Sequence, residues 1–285
     1  MYSTIEELIN TYNPKNTNEM KLALKEIVQN IVLIGLSRAN FFSKASFYGG
    51  TALRIFYGLN RYSEDLDFTL NSEEESFTLE PYINSIKEVA LSYGFNISVE
   101  IKNKKVNTPI ESAFAKLNTY QTFISLGVND SLTNILHKDE TLKVKFEVDC
   151  YPSLGFDVDT KWITNPEFAT VNVLDLESLF AGKIHAILCR NYKNNVKGRD
   201  YYDFIFFINK KIKPNLLYLK NKLIESNKIS ESEQFNIEVL KKMLFDRFNE
   251  VDFSQVRKDA QKFTIKNENL DFYCKDLFIE CLNML

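Results

Sequence analysis

An α+β fold is predicted for this chain: a mixed β-sheet with flanking helices, followed by a helical C-terminal part. Three observations predict it. Up to about Val171, short β-branched or alternating runs interleave with segments of helical spacing. From about Val173 onward the apolar residues recur almost wholly at helical intervals. The chain has 285 residues, 45% apolar and 26% charged, which suits one large or two modest soluble domains with a sizeable core. A core domain over residues 1–171 and a helical domain over 172–285 are therefore expected.

The elements follow in order. Leu22, Leu24, Ile27, Val28, Ile31, Val32, Ile34 and Leu36 predict a buried helix over about Met20 to Phe42. Ser46-Phe-Tyr reads as a short strand running into Gly49-Gly50, after which Thr51 to Tyr57 opens a helix ended by Gly58. The period-2 pattern of Arg61 to Leu70 predicts a strand, Asn71 to Ser76 a polar loop, Pro81 to Tyr93 a helix and Phe95 to Ile101 a strand. Residues 112–128 suit one or two further strands. Leu142, Val144, Phe146 and Val148 alternate with Lys143, Lys145, Glu147 and Asp149, the mark of a half-buried strand. Trp162 to Thr170 reads as a connection; Leu176 to Arg190, Asp200 to Lys210, Leu216 to Ser226 and much of the tail read as helices.

Bulk properties narrow the chemistry. The net charge is −3, so no global positive field advertises a nucleic-acid partner, and any such partner would meet a local basic patch. Cys150, Cys189, Cys274 and Cys281 show no Cys-x-x-Cys spacing, and the histidines are His137 and His185, which argues against a structural zinc site. Free, mostly buried thiols suit a reducing compartment. The N-terminus lacks the regions of a signal peptide and no apolar run approaches a membrane span, so a cytoplasmic protein is expected.

The chemistry centres on Asp65-Leu66-Asp67. On a strand, residues i and i+2 share a face, which would bring two carboxylates together with Arg61 and Ser63, while Tyr62, Leu66 and Phe68 pack behind. Paired carboxylates repel unless cations neutralise them. Mg²⁺ takes one or two carboxylates plus substrate phosphates, so this pair suits a metal-bridged triphosphate. An Asp-x-Asp pair by itself equally describes a solvated strand face. The conjunction with Gly49-Gly50 adds weight, because a glycine turn at a helix N-terminus offers backbone amides to phosphate. Lys183 shares a helical face with Leu176, Leu179, Phe180 and Ile187, and either snorkels or reaches a phosphate. Arg190, Lys193, Lys197 and Arg199 extend a stretch from Lys183 that holds no acidic residue. Asp200 and Asp203 open a very apolar helix. Asp200 reads as a helix cap or a partner of the helix dipole, but Asp203 lies on the face of Phe204 and Phe207 and needs a partner such as Lys183, Arg199 or a substrate group.

Gly49-Gly50-Thr51-Ala52-Leu53, followed by Arg61-x-Ser63-x-Asp65-x-Asp67, Lys183 and Lys197-x-Arg199-Asp200-x-x-Asp203, resembles the polymerase-β-like nucleotidyltransferases. It is similar in particular to the AbiEii/AbiGii-type toxins of bacterial toxin–antitoxin systems. The resemblance spans roughly residues 46–205 and the combination of motifs is specific. It implies transfer of a nucleotidyl group from a nucleoside triphosphate, with Mg²⁺ or Mn²⁺ at Asp65, Asp67 and a third carboxylate, Glu147 ahead of Asp149. It further implies that Gly49, Gly50, Thr51, Arg61, Ser63 and Lys183 bind the nucleotide, and that Asp65, Asp67, Lys183, Asp200 and Asp203 form the catalytic set. RNA, such as the tRNA 3′ end, is the implied acceptor, and a cognate antitoxin the implied partner. No stacking platform or RNA-reading motif in the sequence demands that acceptor. A protein or small-molecule hydroxyl, nucleotide binding without turnover, and a purely structural role for the carboxylates are the alternatives.

Overall fold

A computed structural model describes residues 5–102, 110–119, 121–122, 138–190, 196–265 and 268–285. Two compact units emerge, each discontinuous in sequence. The first holds Met1–Phe47, Glu64–Pro152 and Thr160–Val173; the second holds Tyr48–Ser63, Ser153–Asp159 and Leu174–Leu285. The segment from Gly49 to Ser63 is thereby grouped with the C-terminal helices.

In the first unit, helices α1 (Ile5–Asn10) and α2 (Thr17–Arg38) precede a seven-stranded mixed sheet. Its strands are β1 (Ala45–Tyr48), β2 (Leu66–Leu70), β3 (Ile97–Ile101), β4 (Ile110–Asn118), β5 (Thr141–Asp149), β6 (Val158–Ile163) and β7 (Ala169–Leu174), ordered β3-β4-β5-β2-β1-β7-β6. Pairings β1–β7 and β2–β5 are parallel, whereas β3–β4 and β4–β5 are antiparallel. Asn16 caps α2 by accepting a hydrogen bond from Glu19 N at 2.9 Å, which satisfies one otherwise orphaned donor. Helix α4 (Glu80–Ser92) crosses α2 so closely that a Cβ at Gly35 would stand 2.5 Å from Ile86 Cα. Ile27, Ile31, Ile86, Leu66, Phe68, Val144, Phe146 and Val148 form the core between these helices and the sheet. The alternation read in the sequence for β5 holds from Val144 to Val148.

Among the described residues, the second unit contains α3 (Gly49–Tyr57) and six C-terminal helices: α5 (Leu176–Cys189), α6 (Gly198–Asn209), α7 (Leu216–Glu225), α8 (Ile237–Glu250), α9 (Phe253–Ala260) and α10 (Lys275–Cys281). Asp175, Asn215, Asn236 and Asp252 cap α5, α7, α8 and α9. Helices α6 and α9 touch through glycine: a Cβ at Gly198 would lie 2.0 Å from Val256 O. Phe180, Tyr201, Phe204, Phe207, Phe248 and Phe278 fill the core, with Phe180 and Phe207 stacked at 4.5 Å.

Several expectations change. The strand foreseen from Arg61 begins only at Leu66. Arg61 instead forms an isolated bridge with Thr264, and Tyr62 N donates to Phe263 O at 2.8 Å, so this backbone finds its partner outside the sheet. The connection read at Trp162 to Thr170 contains the end of β6, a sheet-edge strand, and the start of β7, which lies between β1 and β6; the connection read there takes in only two residues of each. A strand does occupy 110–118, but Tyr120 and residues 123–128 of that expectation lie outside the described residues. Cys150 and Cys281 are buried, Cys189 is half-buried and Cys274 exposed, so burial of the thiols holds only in part. Among the described residues no helix is long and apolar enough to cross a membrane.

Candidate active site

In the second unit, the turn from β1 into α3 places Gly49 at φ 86°, a left-handed conformation that favours glycine. Gly50 and Thr51 follow in the first turn of α3, and Thr51 is buried. Gly50 is constrained by contact: a Cβ there would lie 2.7 Å from Arg61 Nη2 and 2.9 Å from Ser63 Oγ. The diglycine thus joins an amide-bearing helix start to the Arg61 and Ser63 side chains.

Arg61 is buried and donates from Nε to Asp203 Oδ1 at 2.6 Å and from Nη2 to Asp203 Oδ2 at 2.7 Å. This two-pronged geometry is the strongest form of an Arg–carboxylate pair. Lys183 Nζ approaches the same Asp203 Oδ2 at 2.7 Å and Asp200 Oδ1 at 3.5 Å. Arg190 Nη1 donates to Asp200 Oδ2 at 2.6 Å. The result is one chain of charges, Arg61–Asp203–Lys183–Asp200–Arg190, with three cations against two carboxylates. Burial alone would push the Asp203 carboxyl up; Arg61 and Lys183 more than offset it and hold the pKa below the ordinary value.

The sequence foresaw a partner for Asp203 and named Lys183 among the choices; Arg61 was not foreseen. Arg199, also named, lies instead over the Phe263 ring at 4.0 Å. Asp200 is not the cap, a place taken by Lys197; it lies in the first turn of α6, as a dipole partner would, and is a buried ion-pair member. Lys193 lies outside the described residues. Lys183 neither snorkels freely nor sits in water: two carboxylates orient its ammonium.

The first unit holds the acidic set. Asp67 occupies β2 and pairs in parallel register with Glu147 of β5, so both side chains leave the same sheet face side by side. Glu147 accepts from Ser112 Oγ at 2.9 Å and meets Lys145 Nζ at 2.6 Å. Asp149 pairs with Thr69 and accepts from Tyr151 N at 3.1 Å, turning the strand end. Of the two candidates for a third carboxylate, Glu147 is therefore the one beside Asp67. Asp65 is exposed and directly precedes β2, so the strand rule that placed Asp65, Ser63 and Arg61 on the Asp67 face does not extend to them. Partial desolvation raises the Asp65 pKa, with Glu64 and Glu147 adding to it while Lys145 and Lys25 pull it down.

Among the described residues no group of three or more His, Cys, Asp or Glu side chains is already arranged to hold a metal ion. The donor chemistry nevertheless suits one. Asp67 and Glu147 offer hard oxygens in register, and Glu147 also raises the Asp65 pKa, a like-charge repulsion that a divalent cation would relieve. Lys145 serves as the cation beside Glu147. Nothing in the sequence singled out Lys145 or Ser112, whose roles arise from cross-strand pairing.

The family model for the nucleotidyl transferase AbiEii toxin of a type IV toxin–antitoxin system matches residues 31–273. Among solved structures, MenT4, a nucleotidyltransferase toxin from Mycobacterium tuberculosis H37Rv, is similar with a TM-score of 0.53 at 13% identity, over 99% of this chain and 91% of that one. JHP933 from Helicobacter pylori is similar with a TM-score of 0.50 at 17% identity, over 92% of this chain and 89% of that one. At such identities these likenesses concern the fold. No curated protein matches the chain.

Proposed function

We infer the reaction from one premise: the chain belongs to the AbiEii nucleotidyl transferase toxin family, and it is a nucleotidyltransferase of the toxin–antitoxin type. The reading is that it moves a nucleotidyl group from a nucleoside triphosphate to an RNA hydroxyl, in a cytoplasmic setting, with a cognate antitoxin as partner. The acceptor oxygen attacks the α-phosphorus, the bond to the β-phosphate breaks, and pyrophosphate leaves as the hydroxyl proton is lost.

The observation that carries this reading is the parallel register of Asp67 with Glu147, two carboxylates on one sheet face. Together with Asp65 they would hold Mg²⁺ or Mn²⁺, which supplies positive charge to the triphosphate when bound. Lys183 contacts the triphosphate, with Asp203 and Asp200 positioning its ammonium. Gly49, Gly50, Thr51 and Ser63 offer amides and hydroxyls to phosphate. Arg61, buried against Asp203, acts as a strut that shapes the diglycine turn rather than as a mobile clamp. A core domain over 1–171 and a helical domain over 172–285 remain the proposed division of labour.

The test is expression of wild type and Asp67→Ala in a bacterial host, with sequencing of RNA 3′ ends. Growth arrest accompanied by added 3′ nucleotides, absent in the variant, is expected. Equal arrest by both proteins, or label from the triphosphate entering protein or small molecules instead of RNA, would overturn the respective part of the reading.

A further inference from the structure

The sheet face that carries Asp67 and Glu147 continues across β5, β4 and β3. Lys145 and Lys143 precede Glu147 at i−2 and i−4 on β5, Phe114 and Lys116 lie on the corresponding face of β4, Glu100 lies on that of β3, and Lys102 directly follows β3, its N–H donating to Ser112 O at 2.9 Å. Phe114 stands in register with Lys145 on one side and Glu100 on the other; Lys116 stands in register with Lys143. Between them runs a groove of about 220 Å³ lined by Glu100, Ile101, Lys102, Phe114, Lys116 and Lys143.

Two features set this groove apart from a solvated strand face. Like charges directly opposite on neighbouring strands destabilise a sheet, and Lys116 against Lys143 is such a pair, relieved in part by the Glu100 carboxylate that Lys116 contacts. Three lysines also gather around one aromatic ring in a chain whose net charge is −3. A positively charged groove with an aromatic face is the arrangement that holds single-stranded nucleic acid, phosphates on the cations and a base on the ring. Its volume accommodates a base and its sugar rather than a duplex. Lys143 lies four strand residues from Glu147, about 13 Å at 3.3 Å per residue, so a strand seated here ends within a few nucleotides of the acidic pair.

We propose that this groove is the docking track of the acceptor: single-stranded RNA whose phosphates lie on Lys102, Lys116 and Lys143 and one of whose bases stacks on Phe114. The proposal rests on the transferase reading above and adds to it the place where the acceptor is held. Lys116 exchanges Glu100 for a phosphate when RNA binds.

A fluorescein-labelled single-stranded RNA with a free 3′ hydroxyl, titrated against the full chain, tests this. Lys116→Glu/Lys143→Glu should bind it at least tenfold more weakly, while binding of a labelled nucleoside triphosphate stays at the wild-type level. The three lysines should contribute about −2 to the slope of log affinity against log salt, falling to about −0.7 in the double variant. Lys102→Gln/Lys143→Gln, which spares the Lys116–Glu100 contact, should show the same direction and guards against misfolding of the first variant. Phe114→Leu should weaken RNA binding with the salt slope unchanged. Wild-type RNA affinity in both double variants overturns the track. So does polyglutamate that binds as tightly as RNA and is lost in the same variants, because the groove would then favour an acidic protein. A wild-type chain that binds no RNA yet labels another acceptor refutes the track and leaves the transferase standing; failure to bind or turn over nucleoside triphosphate refutes the transferase, with RNA binding still judged by these titrations.

Discussion

Gly50 lies so close to Arg61 that a Cβ added to it would stand 2.7 Å from the Arg61 Nη2 atom. Arg61 cannot swing aside, because its Nε and Nη2 are held by Asp203 at 2.6 and 2.7 Å. Gly50→Ala is therefore expected to destabilise the protein by about 1–3 kcal/mol, as overpacking against a pinned group does. A Cβ at Gly182, in the middle of α5, meets nothing within 4 Å, so Gly182→Ala is expected to stabilise by up to about 1 kcal/mol. Urea unfolding of the two variants checks the contrast; equal effects would refute it.

Asp203 neutralises two largely buried cations, and removing it strands Arg61 and leaves Lys183 only its longer contact with Asp200. Asp203→Leu is expected to cost about 3–5 kcal/mol, with Arg61→Met/Asp203→Leu recovering part of that loss. A double variant no more stable than the single one would show that the pair is not the source. The folded pKa of Asp203 is depressed, so its contribution is present above the ordinary carboxylate range, about pH 4, and is lost as pH falls through the folded value. Acid unfolding curves of wild type and variant should therefore converge only below about pH 4.

His185 shows the other pH dependence. Burial first, then Lys222 and Arg190, lower its pKa from 6.5 to about 4, while its Nε2 lies 2.6 Å from Ser226 Oγ. The folded state thus binds a proton less readily than the unfolded chain. Stability is full above pH 6.5 and declines as pH falls toward 4. His185→Gln should flatten the stability profile in that window. A profile of unchanged slope, measured by thermal unfolding at stepped pH, would assign the decline to other groups.

Asp65 has its pKa raised by partial desolvation, Glu64 and Glu147, so its charge works against folding in the absence of a cation. Asp65→Asn is expected to raise the melting temperature of the metal-free protein slightly while reducing nucleotidyl transfer at least tenfold. An added divalent ion should raise the melting temperature of wild type more than that of the variant. Unchanged transfer in Asp65→Asn would return this carboxylate to a structural role.

Much of the architecture was legible because hydrophobic periodicity is a local property. The helices at α2 and α5 to α7, the alternation of β5 and the glycine corner at Gly49-Gly50 all follow from spacing within a few residues. The edge strand β6 was not, since an edge strand buries too little to impose a clear alternation; β7, inside the sheet between β1 and β6, alternates over only six residues. The reading of Arg61 to Leu70 as one strand failed for a related reason: extended backbone resembles a strand in sequence whether or not a neighbouring strand is there to pair with it.

The inventory of the site was already in the sequence: two aspartates with one residue between them, a diglycine turn, a lysine on an apolar helix and an Asp-x-x-Asp helix start. Tertiary structure decided who meets whom. Asp203 takes Arg61, 142 positions away in the chain, together with Lys183, and Asp67 stands beside Glu147 through a parallel strand pairing. Those choices depend on packing and register between distant segments, and a carboxylate carries no mark in its own neighbourhood of which cation, or which second carboxylate, the folded chain will set against it.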